Sequence, residues 1–184
     1  MGALPNALER KITFITTGGT IDKRYGAGKG VENYTFGKDP ALLDILKQMR
    51  IKDDPKHGLV ADLVRIEPLD SLQMDSADRA KIVTACLNSF TRAVVITHGT
   101  DTMIETARAI SRHQLQKAVV LTGASLPASD KMSDAATNVA FAIAYALREP
   151  YGVYIAMHGV LHPWDECEKI DTGEFIRTQH CCTA

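Results

Sequence analysis

The hydrophobic positions of this chain are grouped into short, nearly continuous apolar runs. Five such runs, rich in β-branched residues, occupy residues 11–16, 61–67, 93–97, 117–123 and 152–157. A strand with one solvated face alternates apolar and polar residues, whereas a strand covered on both faces is apolar throughout. The pattern therefore predicts five strands that are buried on both faces.

Stretches with helical signals lie between the predicted strands. Pro40 is predicted at the first position of a helix that runs to about Arg50. The other helices are predicted to start at polar residues: Ser76, Thr102 with Glu105 in a capping box, and Ser133 or Asp134. Because strands and helices alternate, the predicted fold class is α/β, with right-handed crossovers. Its mostly parallel sheet is sandwiched by helices in a three-layer, Rossmann-like or flavodoxin-like arrangement.

Two segments interrupt this alternation. Residues 22–38 hold four glycines and many polar groups, which is typical of a mobile loop or a flexible hairpin. Residues 158–184 carry no clear helical pattern, so a hairpin or an extended tail is predicted there.

The composition narrows the classes of function. A chain of 184 residues suits one hydrophobic core, so a single domain over 1–184 is predicted. The formal net charge is -1, with 21 basic and 22 acidic residues, and aromatic residues make up 6%. A nucleic-acid partner is therefore not expected, because such proteins need a basic surface or aromatic stacking platforms.

Membrane, secretory and metal-binding classes are not favoured either. No apolar run is long enough to span a membrane, and the N-terminal residues lack a signal-peptide pattern. The four cysteines do not form a disulfide framework, so a cytoplasmic location is predicted. The tract His180–Cys182 lacks the four spaced ligands of a zinc site, and no metal site is predicted.

The carboxyl ends of the predicted strands carry the candidate chemistry, because ligands of α/β proteins bind at that edge. The first strand ends in Gly18 and Gly19, with Thr20 just beyond them. This turn is either merely tight, or a phosphate cradle, or a device that presents the hydroxyl. The phosphate reading is disfavoured because neither nucleotide-binding glycine motif is present, and no cofactor is predicted.

The stretch "HGTDT" after the third strand also has ordinary explanations. Thr102 is expected to cap a helix, and the helix dipole favours Asp101 at that position. His98 is either a histidine oriented by the backbone or a catalytic base. Taken alone, Lys169 and Tyr34 would be an exposed lysine and an exposed aromatic residue.

Taken together, these stretches resemble the bacterial L-asparaginase family. The resemblance rests on "TGGTI", "NYTFG", "DS" followed by "QM", "THGTDTMIETA", and "VVLTGA" with a later "SD" and "N", all in the family's order. It implies the family's larger N-terminal α/β domain, with the smaller C-terminal domain absent from this chain. Leu72 and Leu126 stand where the family often has polar residues.

The resemblance also implies catalytic roles. Thr20 matches the nucleophilic threonine, and Tyr34 matches the loop tyrosine that helps to activate it. Thr100 and Asp101 match the threonine and aspartate of the family's second motif. Lys169 falls at the spacing of the lysine that completes the Thr–Lys–Asp triad. A threonine hydroxyl needs such a neighbour, since it is a poor nucleophile until its proton is taken.

Recognition of an amino-acid amide needs one acceptor-rich pole and one donor-rich pole. By resemblance, Asp101 grips the α-ammonium group and Ser71 holds the α-carboxylate. The substrate-binding residues that we expect are Gly19, Ser71, Gln73, Gly99, Thr100 and Asp101. The backbone N–H groups of the glycine turns would also stabilise an oxyanion.

The sequence therefore predicts an asparaginase-type amidohydrolase. It would hydrolyse the side-chain amide of asparagine, with glutamine left open, through an acyl-threonine intermediate. A homodimer is predicted, because family sites are assembled between subunits. Two alternatives stay open: a non-catalytic module that binds an amino acid, and a subunit of an amidotransferase.

Overall fold

The structure is a computed structural model that describes residues 11–26, 33–51 and 59–178. In these residues the chain forms ten strands and four α-helices: β1 (Lys11–Gly18), β2 (Lys23–Tyr25), β3 (Tyr34–Phe36), α1 (Ala41–Gln48), β4 (Val60–Leu69), α2 (Ser76–Asn88), β5 (Ala93–Thr97), α3 (Met103–Ser111), β6 (Ala118–Thr122), α4 (Ala135–Ala146), β7 (Gly152–Met157), β8 (Val160–Pro163), β9 (Cys167–Lys169) and β10 (Phe175–Arg177). All five predicted strands and all four predicted helices are present.

A six-stranded sheet forms the centre of the fold, with the strand order β4-β1-β5-β6-β7-β8. The first five strands are parallel, and only β8 is antiparallel to its neighbour β7. The predicted α/β class with a mostly parallel sheet is therefore confirmed. Of the two structures predicted for residues 158–184, the hairpin is the one found in the described part: β8 pairs antiparallel with β7, and β9 pairs antiparallel with β10.

The sheet is covered by helices on both faces, which gives the predicted three layers. Alternate residues of β5 show why its apolar run is continuous. Val94 and Ile96 belong to a core cluster that includes α2 and α3 residues, whereas Ala93 and Val95 belong to a cluster with α1 and α4 residues. Burial on both faces favours apolar residues at every position.

The prediction that all crossovers are right-handed is wrong. The connections β4–α2–β5 and β5–α3–β6 both move along the sheet towards β8, and both helices pack on the same face. The connection from β1 through α1 to β4 moves in the opposite direction, and α1 packs on the opposite face. These three crossovers share one hand. The β6–α4–β7 crossover also moves in the α2 and α3 direction, but α4 packs on the α1 face, so its hand is opposite.

The connection 123–134 leads from β6 to α4 on the α1 face. The N–H of Ala128 donates to the carbonyl of Ile21 at 3.1 Å, which ties the connection to the turn after β1. The loop after β6 therefore lies beside the 3-10 turn Thr20–Asp22, which follows the first pair of glycines.

The segment 22–38 forms the predicted hairpin in its described part. Strands β2 and β3 pair antiparallel, with Lys23 opposite Phe36 and Tyr25 opposite Tyr34. The Cβ atoms of a strand alternate between its two faces. The hairpin therefore carries Tyr34 on a regular element and not on an irregular loop.

Two of the predicted helix starts are corrected by the structure. The cap of α2 is Asp75 and not Ser76: the Asp75 carboxylate accepts from the N–H groups of Ala77 and Asp78, and the Asp78 carboxylate accepts from Asp75 N–H. Thr102 makes no capping bond, because its hydroxyl donates to the carbonyl of Ser71 at 2.9 Å. The Thr102 hydroxyl, which the local pattern predicted to cap α3, is bonded instead to a residue distant in the sequence.

The starts of α1 and α4 differ from the predictions by one residue or in the hydrogen bonds of the residue that precedes the helix. Pro40 precedes α1 in an extended conformation, and the Asp22 carboxylate accepts the Ala41 N–H at 2.7 Å. Asp134 precedes α4, but its carboxylate accepts from the N–H groups of Ser125 and Leu126. The hydroxyl of Ser133 accepts the first N–H of α4.

We predict that Asp75→Ala lowers the free energy of unfolding by about 1 kcal/mol, since it leaves two N–H groups of α2 without their acceptor. Ser76→Ala is the matched control and should change it by less than about 0.5 kcal/mol. Urea unfolding midpoints measure both. The cap assignment would be wrong if Ser76→Ala proved the more damaging of the two.

Candidate active site

The ends of three strands meet through close backbone contact at the glycines. Gly18 and Gly19 have φ angles of 91° and 80°, which favour glycine strongly. The N–H of Gly19 donates to the Leu69 carbonyl at 2.9 Å, beside the end of β4. A Cβ atom on Gly19 would lie 2.5 Å from Cα of Gly99, just after β5. Only glycine permits this approach.

Ser71 lies directly against this glycine contact. A Cβ atom on Gly99 would lie 2.6 Å from the Ser71 hydroxyl oxygen. The Ser71 side chain is buried, with a relative exposure of 1%, and its Oγ has no hydrogen-bond partner in the described part of the chain. A buried polar atom without a partner is costly, which makes this Oγ a natural contact for a ligand.

The three threonines around the first turn differ in exposure. Thr16 and Thr17 are buried, and the Thr17 hydroxyl donates to the Thr97 carbonyl at 2.9 Å. Thr20 is half-buried and begins a single 3-10 turn, Thr20–Asp22, with Gly19 as its N-terminal cap residue. Thr20 thus lies just past the carboxyl end of β1 and is partly accessible to solvent.

Lys169 reaches the loop after β5 from the small hairpin β9–β10. Its Nζ donates to Thr100 Oγ1 at 2.9 Å and lies 2.5 Å from Asp101 Oδ1. The lysine side chain is 21% exposed and the aspartate side chain 47%. The three side chains thus form one contiguous polar cluster beside the Gly19–Gly99 contact.

A second polar cluster joins the hairpin β2–β3 to the end of β4. Lys23 Nζ lies 2.5 Å from Asp70 Oδ2, and the Tyr34 hydroxyl donates to the same oxygen at 3.3 Å. The Lys23 ammonium also lies 4.1 Å from the centroid of the Tyr34 ring. The other Asp70 oxygen accepts the N–H of Leu72, in the turn that carries Ser71.

These contacts shift the proton affinities of the cluster. Partial burial works against the charged form of Asp70, but hydrogen bonds from Lys23 and Leu72 N–H outweigh it and lower the pKa of this carboxyl. Burial and the Asp70 charge raise the pKa of Tyr34, with Lys23 opposing them. The phenol therefore stays protonated at neutral pH beside an ionised carboxylate.

His98 is a structural residue of the interior, although it follows β5 directly. Its Nδ1 lies 2.7 Å from the Gly99 carbonyl, so Nδ1 carries the proton, and Nε2 accepts from the Thr106 hydroxyl at 2.9 Å. The side chain is fully buried. Of the two roles considered from the sequence, the backbone-oriented histidine matches this geometry.

The structure brings most of the predicted site residues to one edge of the sheet. Gly19, Gly99 and Ser71 are in direct contact, and Lys169 contacts Thr100 and Asp101. Gln73, in contrast, is exposed on the 3-10 turn Ser71–Gln73. Leu72 and Leu126, the departures from the family pattern, are also exposed.

Sequence reasoning missed the part played by Lys23 and its pairing with Asp70. The signal was weak: a lysine three residues after Thr20, in a segment read only as a loop or hairpin. The partner in space comes from a strand that is distant in sequence. Only the fold brings the two charges together.

The described residues contain neither a cluster of metal-binding side chains nor a membrane-spanning helix. Residues 11–26, 33–51 and 59–178 contain no group of three or more His, Cys, Asp or Glu side chains that could hold a metal ion. The tract His180–Cys182 lies outside the described residues. No helix within those same ranges is long and apolar enough to cross a membrane.

The fold and the site define an α/β protein whose hydroxyl, ammonium and carboxylate groups gather at the carboxyl edge of a parallel sheet. The sequence matches the family described as "Asparaginase, N-terminal" over residues 11–179, and the chain belongs to this family. The resemblance seen in its motifs is thereby confirmed.

Individual relatives carry two different names. The chain is 30% identical over 171 residues to a glutamyl-tRNA(Gln) amidotransferase subunit from Methanosarcina barkeri, and this match covers 92% of this chain and 39% of that protein. It also matches the thermostable L-asparaginase from Thermococcus kodakarensis, with a TM-score of 0.77 and 27% identity over 91% of this chain and 51% of that one.

A third relative is the probable cytoplasmic L-asparaginase from Campylobacter jejuni, with a TM-score of 0.73 and 26% identity. The match covers 92% of this chain and 53% of that one. The chain thus spans about half the length of these solved structures and less than half of the amidotransferase protein.

The buried His98 predicts a pH dependence of stability. Burial, the largest cause, lowers the pKa of His98 to about 4 from an ordinary value of 6.5. Between these values the unfolded chain binds a proton that the folded protein does not. The free energy of unfolding should therefore fall as the pH drops from 6.5 towards 4, by at most about 1.4 kcal/mol per pH unit.

His98→Gln removes this titration, so its stability should depend less steeply on pH over that range. Other groups titrate there too, so the comparison is with wild type and with His113→Gln, at an exposed histidine in the turn after α3. Urea unfolding at several pH values gives the slopes. An NMR titration that placed the His98 pKa above 6 would contradict the buried neutral ring.

Proposed function

We propose that this chain is an amidohydrolase that releases ammonia from the side-chain amide of asparagine, with Thr20 as the nucleophile. The observation that carries the proposal is the cluster of Thr100, Asp101 and Lys169 at the same edge as Thr20. Gly19 and Gly99 are in backbone contact, and Thr20 and Thr100 are the residues that directly follow them in the chain. Glutamine stays open as a second substrate.

The proposed first step is attack of the Thr20 hydroxyl on the amide carbon. Its proton is taken by a neighbouring group, either Tyr34 or the Thr100–Lys169 pair, and the amide nitrogen receives a proton as it leaves as ammonia. The proposed oxyanion donors are backbone N–H groups of the glycine turns other than that of Gly19, which donates to the Leu69 carbonyl. Water then hydrolyses the acyl-threonine ester and regenerates the hydroxyl.

Recognition of the substrate's zwitterionic end is assigned to two groups. The unpartnered Oγ of Ser71 is a donor suited to the α-carboxylate. The carboxylate of Asp101 is suited to the α-ammonium group, because Lys169 contacts only its Oδ1 and the second oxygen lies outside that contact. Gly19, Gly99, Thr100 and Gln73 complete the proposed binding set.

A component of an amidotransferase is the second candidate. The relative from Methanosarcina barkeri bears that name, and its match covers nearly all of this chain. In this role the same threonine chemistry would release ammonia for a partner protein. A binding module without catalysis is the third reading. The homodimer and the cytoplasmic location stay predictions of the same proposal.

We predict that Thr20→Ala and Thr100→Val each lower the turnover of asparagine by at least about 100-fold, the usual scale for a nucleophile or a positioned acid–base group. Binding of aspartate should change far less than turnover. Ammonia release with asparagine and with glutamine measures the rate, and calorimetry measures aspartate binding.

The outcomes separate the three candidates. Rapid quench with a slow substrate analogue should place the adduct on Thr20, and an adduct on Thr100 would reverse the assignment. Full activity of Thr20→Ala would reject threonine catalysis. Ammonia release only when another polypeptide is present favours the amidotransferase component, and aspartate binding without any ammonia release favours the binding module.

A second prediction concerns Ser71, whose hydroxyl has no partner among the described residues. Ser71→Ala should weaken aspartate binding by about tenfold, as expected for a lost hydrogen bond to a charged group. The free energy of unfolding should not fall and should rise by up to about 1 kcal/mol, because the variant removes a buried hydroxyl that has no hydrogen-bond partner among the described residues.

The matched control is Ser111→Ala, which removes a hydroxyl bonded to the carbonyl of Arg108 within α3. This variant should bind aspartate as wild type does. Unchanged aspartate affinity in Ser71→Ala would remove Ser71 from the proposed binding set.

A further inference from the structure

The cluster of Lys23, Asp70 and Tyr34 is built from three separate parts of the site. Lys23 follows the Thr20–Asp22 turn, Tyr34 lies on the second strand of the hairpin, and Asp70 immediately precedes Ser71. The Lys23 and Asp70 side chains are only 12% and 15% exposed. This contact is therefore unlike an ordinary surface ion pair, which is solvated and contributes little.

The direction of the Tyr34 hydrogen bond follows from the charges. An ionised carboxylate only accepts hydrogen bonds, and a phenol has a single proton to donate. The Lys23 Nζ lies 2.5 Å from Asp70 Oδ2 and favours the ionised form of this carboxylate. The Tyr34 hydroxyl therefore donates its proton to Asp70 Oδ2. The lone pairs of the phenol oxygen then stay free to accept a hydrogen bond.

We propose that Lys23 and Asp70 are positioning residues that fix the Tyr34 phenol with its proton on Asp70, so that its oxygen accepts from the Thr20 hydroxyl. The proposal rests on the proposed function for its catalytic meaning. Asp70 holds the phenol by its hydrogen bond. Lys23 contacts both the Asp70 carboxylate and the face of the Tyr34 ring. These two contacts restrain the position of the ring more than the Asp70 hydrogen bond would alone.

The same carboxylate connects Tyr34 to the substrate-binding turn. Asp70 Oδ1 accepts the N–H of Leu72 at 3.0 Å, while Oδ2 receives Lys23 and Tyr34. One side chain therefore sets the position of the hairpin relative to Ser71. The hairpin is outside the main sheet, so a displacement of the hairpin would move the phenol relative to the turn that carries Ser71.

The kinetic test compares Asp70→Asn, Lys23→Met, Lys23→Arg and Tyr34→Phe in the full chain. Asp70→Asn and Lys23→Met should lower kcat for asparagine by about 10- to 100-fold and change KM by less than about threefold. Lys23→Arg, which keeps the cation, should recover to within about fivefold of wild type. Asp39→Asn, which breaks the exposed Arg65–Asp39 pair, is the control and should leave kcat unchanged.

A double variant decides whether Asp70 acts through Tyr34. If it does, Asp70→Asn should cause no further loss of kcat in a Tyr34→Phe background. If the fold-losses of kcat in Asp70→Asn and Tyr34→Phe multiply in the double variant, the proposal is overturned, because Asp70 then acts independently of Tyr34. Wild-type kcat in Asp70→Asn or in Lys23→Met would overturn it as well.

A second readout needs no activity. The pKa of Tyr34 is measured by NMR on protein with labelled tyrosine, assigned by the signal missing in Tyr34→Phe. Asp70→Asn should lower this pKa, since it removes a negative charge beside the phenol, and Lys23→Met should raise it, since it removes a positive one. Absence of these opposite shifts would overturn the contact itself. If wild type releases no ammonia, the proposed function fails, but this readout still tests the cluster.

Discussion

The site depends on a single steric constraint, the backbone contact that only glycine allows where β1, β4 and β5 end. Gly18 would place a Cβ atom 2.6 Å from the backbone nitrogen of Leu69, and Gly19 would place one 2.5 Å from Cα of Gly99. Without side chains, three strand ends approach within backbone contact distance. The polar residues that follow each strand are thereby brought to one small area.

Two ion pairs of similar geometry complete that area. Lys23 pairs with Asp70 after β4, and Lys169 pairs with Asp101 after β5, each with an N···O distance of 2.5 Å. Each lysine lies on a two-stranded hairpin outside the main sheet and also contacts a site residue, Tyr34 in one case and Thr100 in the other. The rigid sheet thus supplies the carboxylates, and the small hairpins supply the cations.

The sequence was sufficient for what depends on local pattern. Burial on both faces makes a strand such as β5 continuously apolar, so the layers could be predicted, and the motif spacing indicated the family. It was insufficient where distant residues compete for one atom: Thr102 was expected to cap α3 but binds the Ser71 carbonyl. The pairing of Lys23 with Asp70 produces no periodic pattern in the sequence. The hand of the last crossover depends on which face α4 packs against, and the hydrophobic pattern does not specify that face.

The reversed crossover through α4 has a consequence for the order in which the chain folds. One face of the sheet is covered by α2 and α3, which are consecutive along the chain and pack on each other across a short sequence distance. The opposite face joins α1 to α4, which are separated along the chain by three of the six strands of the main sheet, β4, β5 and β6. Closing such a long loop costs more chain entropy than closing a short one. During synthesis, the α1 helix therefore stays without its partner helix until α4 has been made, and the α1 face is expected to be the last to consolidate.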